Sequence, residues 1–264
     1  MLLNHKLIYF IPGFPLLLII IVVVVGLSLM GQFIVRRYIS HEILKLHNDV
    51  AGFMFSTLGV IYAVLLAFVV IIVWENYEST SSHVTDETNC MEILYRSSDV
   101  FPNPEKERLR SLLKSYAIVV VDKEWPAMAR GESSPEIEKI EGNLWKVYLH
   151  DIKPRTELQK AFYAESVKAL GEVSKMRGKR LLQAQTGIPS LLWIVLIAGG
   201  VITLAFTFFF GTENLEAQAI MTALLAAIMA LMFFTILSLD FPFTGDIRIS
   251  PEPFKQLLMR WAQL

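Results

Sequence analysis

Four apolar runs interrupt an otherwise polar chain, at about residues 14–35, 51–74, 190–210 and 217–241. Each approaches the roughly 20 residues that a helix needs to cross about 30 Å of hydrocarbon at about 1.5 Å per residue. A bilayer offers no water to an unpaired backbone group. The runs therefore read as helices even where β-branched residues crowd together, as in 19–25. Only residues 211–216 separate the third run from the fourth, so these two form an antiparallel hairpin. Ala219, Ala223 and Ala227 recur four apart in the fourth run and allow close helix approach in lipid.

The pattern changes between the runs. Arg36 and Arg37 end the first, and Ile39, Ile43, Leu44 and Val50 then mark a short amphipathic piece at the membrane surface, opened by Ser40 and Glu42. The second run closes on Trp74, placed as an interfacial anchor. No proline occurs between Pro15 and Pro102 and no glycine between Gly59 and Gly131, so one helix is expected from about 51 to 99, on the order of 70 Å long. Tyr77, Val84 and Met91 form a weak seven-residue seam along it. Phe101-Pro-Asn-Pro104 breaks that helix and opens another, in which Leu109, Leu112, Leu113, Tyr116, Val119 and Val120 share one face as far as Trp125 and Pro126. After a loop at 131–135, helices are expected at 135–150 and 155–186, the second with Leu158, Phe162, Leu170, Val173 and Met176 on one side. The expected organisation is a first pair of spans (1–74), a helical soluble insert (75–189), a second transmembrane hairpin (190–241), and a C-terminal turn with a short amphipathic helix (242–264). This is an all-α, polytopic membrane fold.

The first run follows a short head containing Lys6, as a secretory signal does. Its apolar core exceeds the roughly 7–15 residues of a signal core and no small-x-small site follows before Arg36, so it reads as an anchor. Hydrophobic residues make up 54% of the chain and mean hydropathy is +0.48, beyond an ordinary soluble domain. A net charge of −1 argues against a nucleic-acid partner, which needs a clustered basic surface. With four crossings both termini and the insert share one side. That side holds all but three of the 24 Lys and Arg, the exceptions being Arg36, Arg37 and Lys45. The basic run Lys175, Arg177, Lys179 and Arg180, with Arg248, Lys255 and Arg260, favours placing that side in the cytoplasm of a bacterial inner membrane, while Arg36 and Arg37 argue the reverse.

No P-loop, dinucleotide turn or His-Glu-x-x-His occurs. His5, His41, His47, His83 and His150 are too scattered to converge on a metal. The single cysteine, Cys90, reads as a small, partly buried side chain. Asp122 and Glu124 flank Lys123 and point to different helix faces, a solvated helix end or salt-bridge network and no acid couple. Neither an enzyme nor a cofactor or metal site is expected. The spans lack the carboxylates of charge-coupled transporters until Asp240. Their polar content is small and neutral: Ser56, Thr57, Gly59 and Tyr62 in the second span, Thr203 and Thr207 in the third. Such residues serve either helix packing or a water-filled path. Pro242 ends the fourth span and Gly245 permits a tight reversal after it.

Two segments carry a resemblance: Phe55-Ser-Thr-Leu-Gly-Val-Ile-Tyr62 leading to Trp74-Glu-Asn-Tyr-Glu78, and Leu239-Asp-Phe-Pro-Phe-Thr-Gly-Asp246. With four spans and a helical insert, the chain resembles the bacterial bestrophin-like membrane proteins and, more distantly, bestrophin ion channels. The resemblance implies a homo-oligomer in contact with lipid, conducting small ions through a central pore lined by second spans. The family's pore-neck places fall on Gly52, Ser56 and Val60, with Gly59 and Tyr62 beside them. Two of the three neck residues are small where bestrophins carry bulky apolar ones. The post-membrane turn, Asp240, Pro242, Phe243, Gly245 and Asp246, matches the bestrophin turn, but Ile247-Arg248 replaces the acidic run that binds calcium there, so calcium control is not expected. The rival reading is a non-conducting scaffold or signalling protein acting through the 75–189 insert.

Overall fold

A computed structural model describes residues 12–263. Lys6 and His5 lie outside the described residues. The helices, in chain order, are α1 (Gly13–Tyr38), α2 (His41–Lys45), α3 (Asn48–Ser97), α4 (Glu105–Val119), α5 (Trp125–Met128), α6 (Pro135–Lys146), α7 (Glu157–Gln185), α8 (Ser190–Thr207), α9 (Leu215–Asp240) and α10 (Glu252–Ala262). The four membrane spans belong to α1, α3, α8 and α9, which are long and apolar enough to cross a bilayer. The helix of α3 is unbroken for 50 residues, about 75 Å of rise, before a 3₁₀ turn at Ser98–Val100. The surface piece after Arg37 is shorter than its sequence suggests. It is the five-residue α2, in which Leu44 is buried while Ile43 is exposed; Val50 belongs to α3 and is exposed. The Asn48 amide opens α3 at once by donating to the Gly211 carbonyl (2.8 Å) and accepting from the Gly211 N–H (2.9 Å).

The chain divides into two compact units. The first comprises residues up to Asn76, Ile188–Asp240 and Gly245–Ile247; the second comprises Tyr77–Gly187, Phe241–Thr244 and Arg248–Leu264.

In the first unit α1 packs along α9, and α8 lies against both. Tyr62, Leu204, Ala226 and Met229 form a small buried cluster. Gly199 and Gly200 make room for it: a Cβ at Gly199 would come within 2.6 Å of the Tyr62 ring, and one at Gly200 within 2.9 Å of Phe233. The fully buried small side chains of α9 are Ala226 and Ala230, while Ala219, Ala223 and Ala227 are half-buried. The small face is therefore rotated from the one the alanine spacing alone suggests.

The second unit has a larger core. Val84, Met91, Leu94 and Tyr95 of α3 pack with Leu109, Leu113, Tyr116 and Val120, and α10 contributes Phe254, Leu257 and Trp261. The seam of Tyr77, Val84 and Met91 thus meets the insert's own helices. Pro126 does not end its helix. Val120–Glu124 forms a π turn, and Pro126 sits in the first turn of α5, where no N–H is needed. Val147–Asp151 is a second π turn. α7 opens on a capping box between Thr156 and Gln159. Its buried face departs from the apolar stripe: Leu158 and Phe162 are exposed, while Leu170 and Val173 are buried together with Arg177 and Arg180. Hydropathy assigns arginine to the surface; ion pairing places these two inside.

Candidate functional site

The first half of α3 carries the small polar positions. Gly52, Ser56 and Val60 follow at i, i+4 and i+8 along one stripe. Ser56 and Val60 are exposed, and a Cβ at Gly52 or Gly59 would meet nothing within 4 Å. The Ser56 hydroxyl donates to the Gly52 carbonyl (2.9 Å) and that of Thr57 to the Phe53 carbonyl (3.2 Å), so both are satisfied within the helix. Tyr62 is elsewhere. Its ring is buried and its hydroxyl donates to the Leu196 carbonyl at 2.9 Å, which makes it a tie to α8 in the single chain. Gly59 lies between the two faces, since it borders an apolar cavity of about 610 Å³ shared with Tyr62, Thr203 and Met229.

The segment after α9 is held from both of its ends. Within the first unit, Asp240 accepts from the Ile188 N–H (2.7 Å) and the Trp193 indole N–H (3.2 Å), fixing the start of α8. Also in that unit, Asp246 lies so near the first residue of α1 that a Cβ at Gly13 would come within 2.7 Å of its Oδ2. Gly245 has φ of 72°, the left-handed conformation a reversal requires. Within the second unit, the Pro242 carbonyl accepts from the Ile249 N–H at 2.8 Å, and Phe243 is buried edge-on to Trp125 at 5.6 Å. The indole N–H of Trp125 donates to the Ile249 carbonyl (3.1 Å).

A cluster that hydropathy reading missed lies inside the second unit. Arg180, fully buried, donates to Glu87 through Nε (2.8 Å) and Nη2 (3.0 Å), and to Glu124 at 2.9 Å. Arg177 reaches the other oxygen of Glu124 at 2.7 Å and Glu141 at 3.2 Å. The Tyr116 hydroxyl donates to Glu87 at 2.8 Å. Burial, reinforced by the Glu87 charge, pushes the Tyr116 phenol well above its ordinary range. The Arg180 guanidinium lies 5.2 Å from the Trp125 ring centroid and 5.8 Å from that of Phe254. Of the trio Asp122, Lys123 and Glu124, the first two are exposed and only Glu124 turns inward, as part of this salt-bridge network. Every charge here has an opposite partner, so the cluster is built to hold helices and leaves no free charge for a substrate. Its sequence signal was a charge on an otherwise apolar face: Glu87 between Val84 and Met91, and Arg177 and Arg180 after Val173.

Cys90 is a free, half-buried thiol. Among the described residues, no group of three or more His, Cys, Asp and Glu is placed to hold a metal.

Comparison with known proteins covers most of the chain. The model of a bestrophin-like domain matches residues 22–254. No curated protein matches the sequence. A crystal structure of a variant of a bacterial bestrophin homologue from Klebsiella pneumoniae is similar with a TM-score of 0.72 at 15% identity, over 92% of this chain and 98% of that one. A second structure of the Klebsiella pneumoniae homologue gives 0.70 at 14% identity, over 92% and 97%. A variant of a solved membrane protein gives 0.72 at 15%, again over 92% and 97%. At such identities the structures establish a common fold. Since the domain model covers most of the chain, from within the first span through the insert to beyond the fourth span, the chain belongs to the bestrophin-like family.

Proposed function

We propose that the chain is a subunit of a homo-oligomeric channel in which copies of α3 surround a path for small ions. The observation that carries this reading is the asymmetry of α3 between Asn48 and Trp74. One side is packed in the chain by Tyr62, Val69 and Val73; the stripe of Gly52, Ser56 and Val60 is left open, with its hydroxyl already satisfied. An open stripe of small and self-bonded polar groups suits a water-filled axis, with Gly59 at its edge and Tyr62 behind it as support. Exposed Phe53 and Ile61 on the same helix call for lipid or neighbouring copies. The post-membrane turn, Asp240, Pro242, Phe243, Gly245 and Asp246, serves to position span ends and does not contact the permeating ion. Arg248, Lys255 and Arg260 favour a cytoplasmic location in an inner membrane for the termini and the insert.

Flux from liposomes loaded with small ions tests the reading. The reconstituted protein should conduct, and Ser56→Trp or Gly52→Trp should suppress most of the flux while an exposed insert substitution such as Leu158→Ser leaves it intact. Liposomes closed to every small ion, together with tryptophan variants indistinguishable from the parent, favour a scaffold acting through the insert.

A further inference from the structure

The groove between α1 and α9, of about 430 Å³, combines two cations, a buried unpaired acceptor and apolar walls. Leu29, Gln32, Phe33, Arg36 and Arg37 come from the last turns of α1, at the three- and four-residue spacing that puts side chains on one helix face. Leu215 and Ala219, four apart at the start of α9, form the opposite wall.

The polar groups in this groove are incompletely matched. Among the described residues, Arg36 is held only by neutral acceptors, the Thr212 carbonyl at 2.7 Å, the Thr212 hydroxyl at 3.2 Å and the Gln218 amide oxygen. Among the described residues no carboxylate pairs with Arg36 or with the exposed Arg37; Glu213 nearby is paired with Lys45 at 2.7 Å. Gln32 is only 4% exposed, and its Oε1 is buried without a donor among the described residues. A buried polar atom left so costs free energy that a ligand can recover. The walls are apolar, and Phe33 is exposed at a span end, where a bilayer places its headgroups.

We propose that this groove binds an anionic phospholipid: its phosphate lies against Arg36 and Arg37, a headgroup hydroxyl donates to Gln32 Oε1, and an acyl chain follows Leu29, Phe33 and Leu215. The phosphate supplies the charge that the protein does not, since guanidinium groups match phosphate oxygens in geometry as well as sign. The hydroxyl supplies the donor. A phosphoglycerol headgroup carries both, whereas a phosphocholine headgroup has no net charge and no hydroxyl.

Native mass spectrometry of the full chain, delipidated in detergent and titrated with phosphatidylglycerol, phosphatidylcholine or diacylglycerol of the same acyl length, tests the site. Phosphatidylglycerol adducts should predominate. Arg37→Gln, at an exposed position without a partner among the described residues, should lower phosphatidylglycerol retention by about fivefold, the factor for one cation near an anionic lipid, and leave phosphatidylcholine unchanged. Ala219→Trp should fill the groove and remove the preference. Equal retention of the two phospholipids by the parent, or no effect of Arg37→Gln, overturns the proposal. A photo-crosslinker at position 219 that captures a second copy of the chain in place of lipid also overturns it. The readout is lipid mass, so it stands apart from whether the protein conducts.

Discussion

Removing Arg180 from the second unit should cost far more than removing any surface arginine. The side chain is fully buried and holds the carboxylates of Glu87 and Glu124 at 2.8 to 3.0 Å. In Arg180→Met, Arg177 still neutralises Glu124, but Glu87 keeps only the Tyr116 hydroxyl. A buried carboxylate stripped of its cation costs about 3–5 kcal/mol. For a folding unit of this size each kcal/mol moves the midpoint by about 2–4 °C, so a fall of roughly 10 °C is expected. The assay is thermal unfolding of the full chain in detergent, followed by tryptophan fluorescence. Two controls give the result its meaning. Arg108→Met removes an exposed bridge to Asp151 and should barely change the midpoint. Adding Glu87→Gln to Arg180→Met removes the stranded charge while keeping an acceptor for Tyr116, and should recover a substantial part of the loss. If Arg180→Met is no worse than Arg108→Met, the ion-pair account of this core is wrong.

Two other substitutions probe the junctions and the core. Asp240→Ala strands the Ile188 N–H and the Trp193 indole N–H, and should lower stability by about 1–3 kcal/mol in the same scan, with Asp240→Asn milder because it retains an acceptor. Burial pushes the Tyr148 phenol up to about 12. A phenol raised in the folded state contributes stability that is complete below its unfolded value near 10 and is lost as pH rises through the folded value. The parent should therefore lose stability between about pH 10 and 12 relative to Tyr148→Phe, and parallel pH profiles for the two would refute this.

Much of the fold was legible because its determinants are local. A span declares itself by twenty apolar neighbours, and the long α3 by an absence of proline and glycine over its length. The starts of α6 and α7 lie beside Pro135 and Thr156, where cap chemistry is written in adjacent residues. The turn after α9 was visible in Pro242 and Gly245 for the same reason. The candidate site was legible only as a set of positions. Gly52, Ser56 and Val60 share a stripe by helix period, but the same period does not say that Tyr62 turns toward Leu196. The apolar stripe of α7 includes Leu158 and Phe162, which are exposed, because a stripe cannot show where a helix first meets its neighbours.

Hydropathy and helix period act over a few residues, and they were enough to set four spans, a helical insert and one unbroken helix between them. Tertiary structure decided which charges go inside. Arg180 and Glu87 are 93 positions apart and Arg36 and Gln218 are 182 apart, so a charge on an apolar face can hint at burial but neither neighbourhood names the partner. A buried charge is tolerable only when its partner arrives, and that arrival is a property of the packed chain.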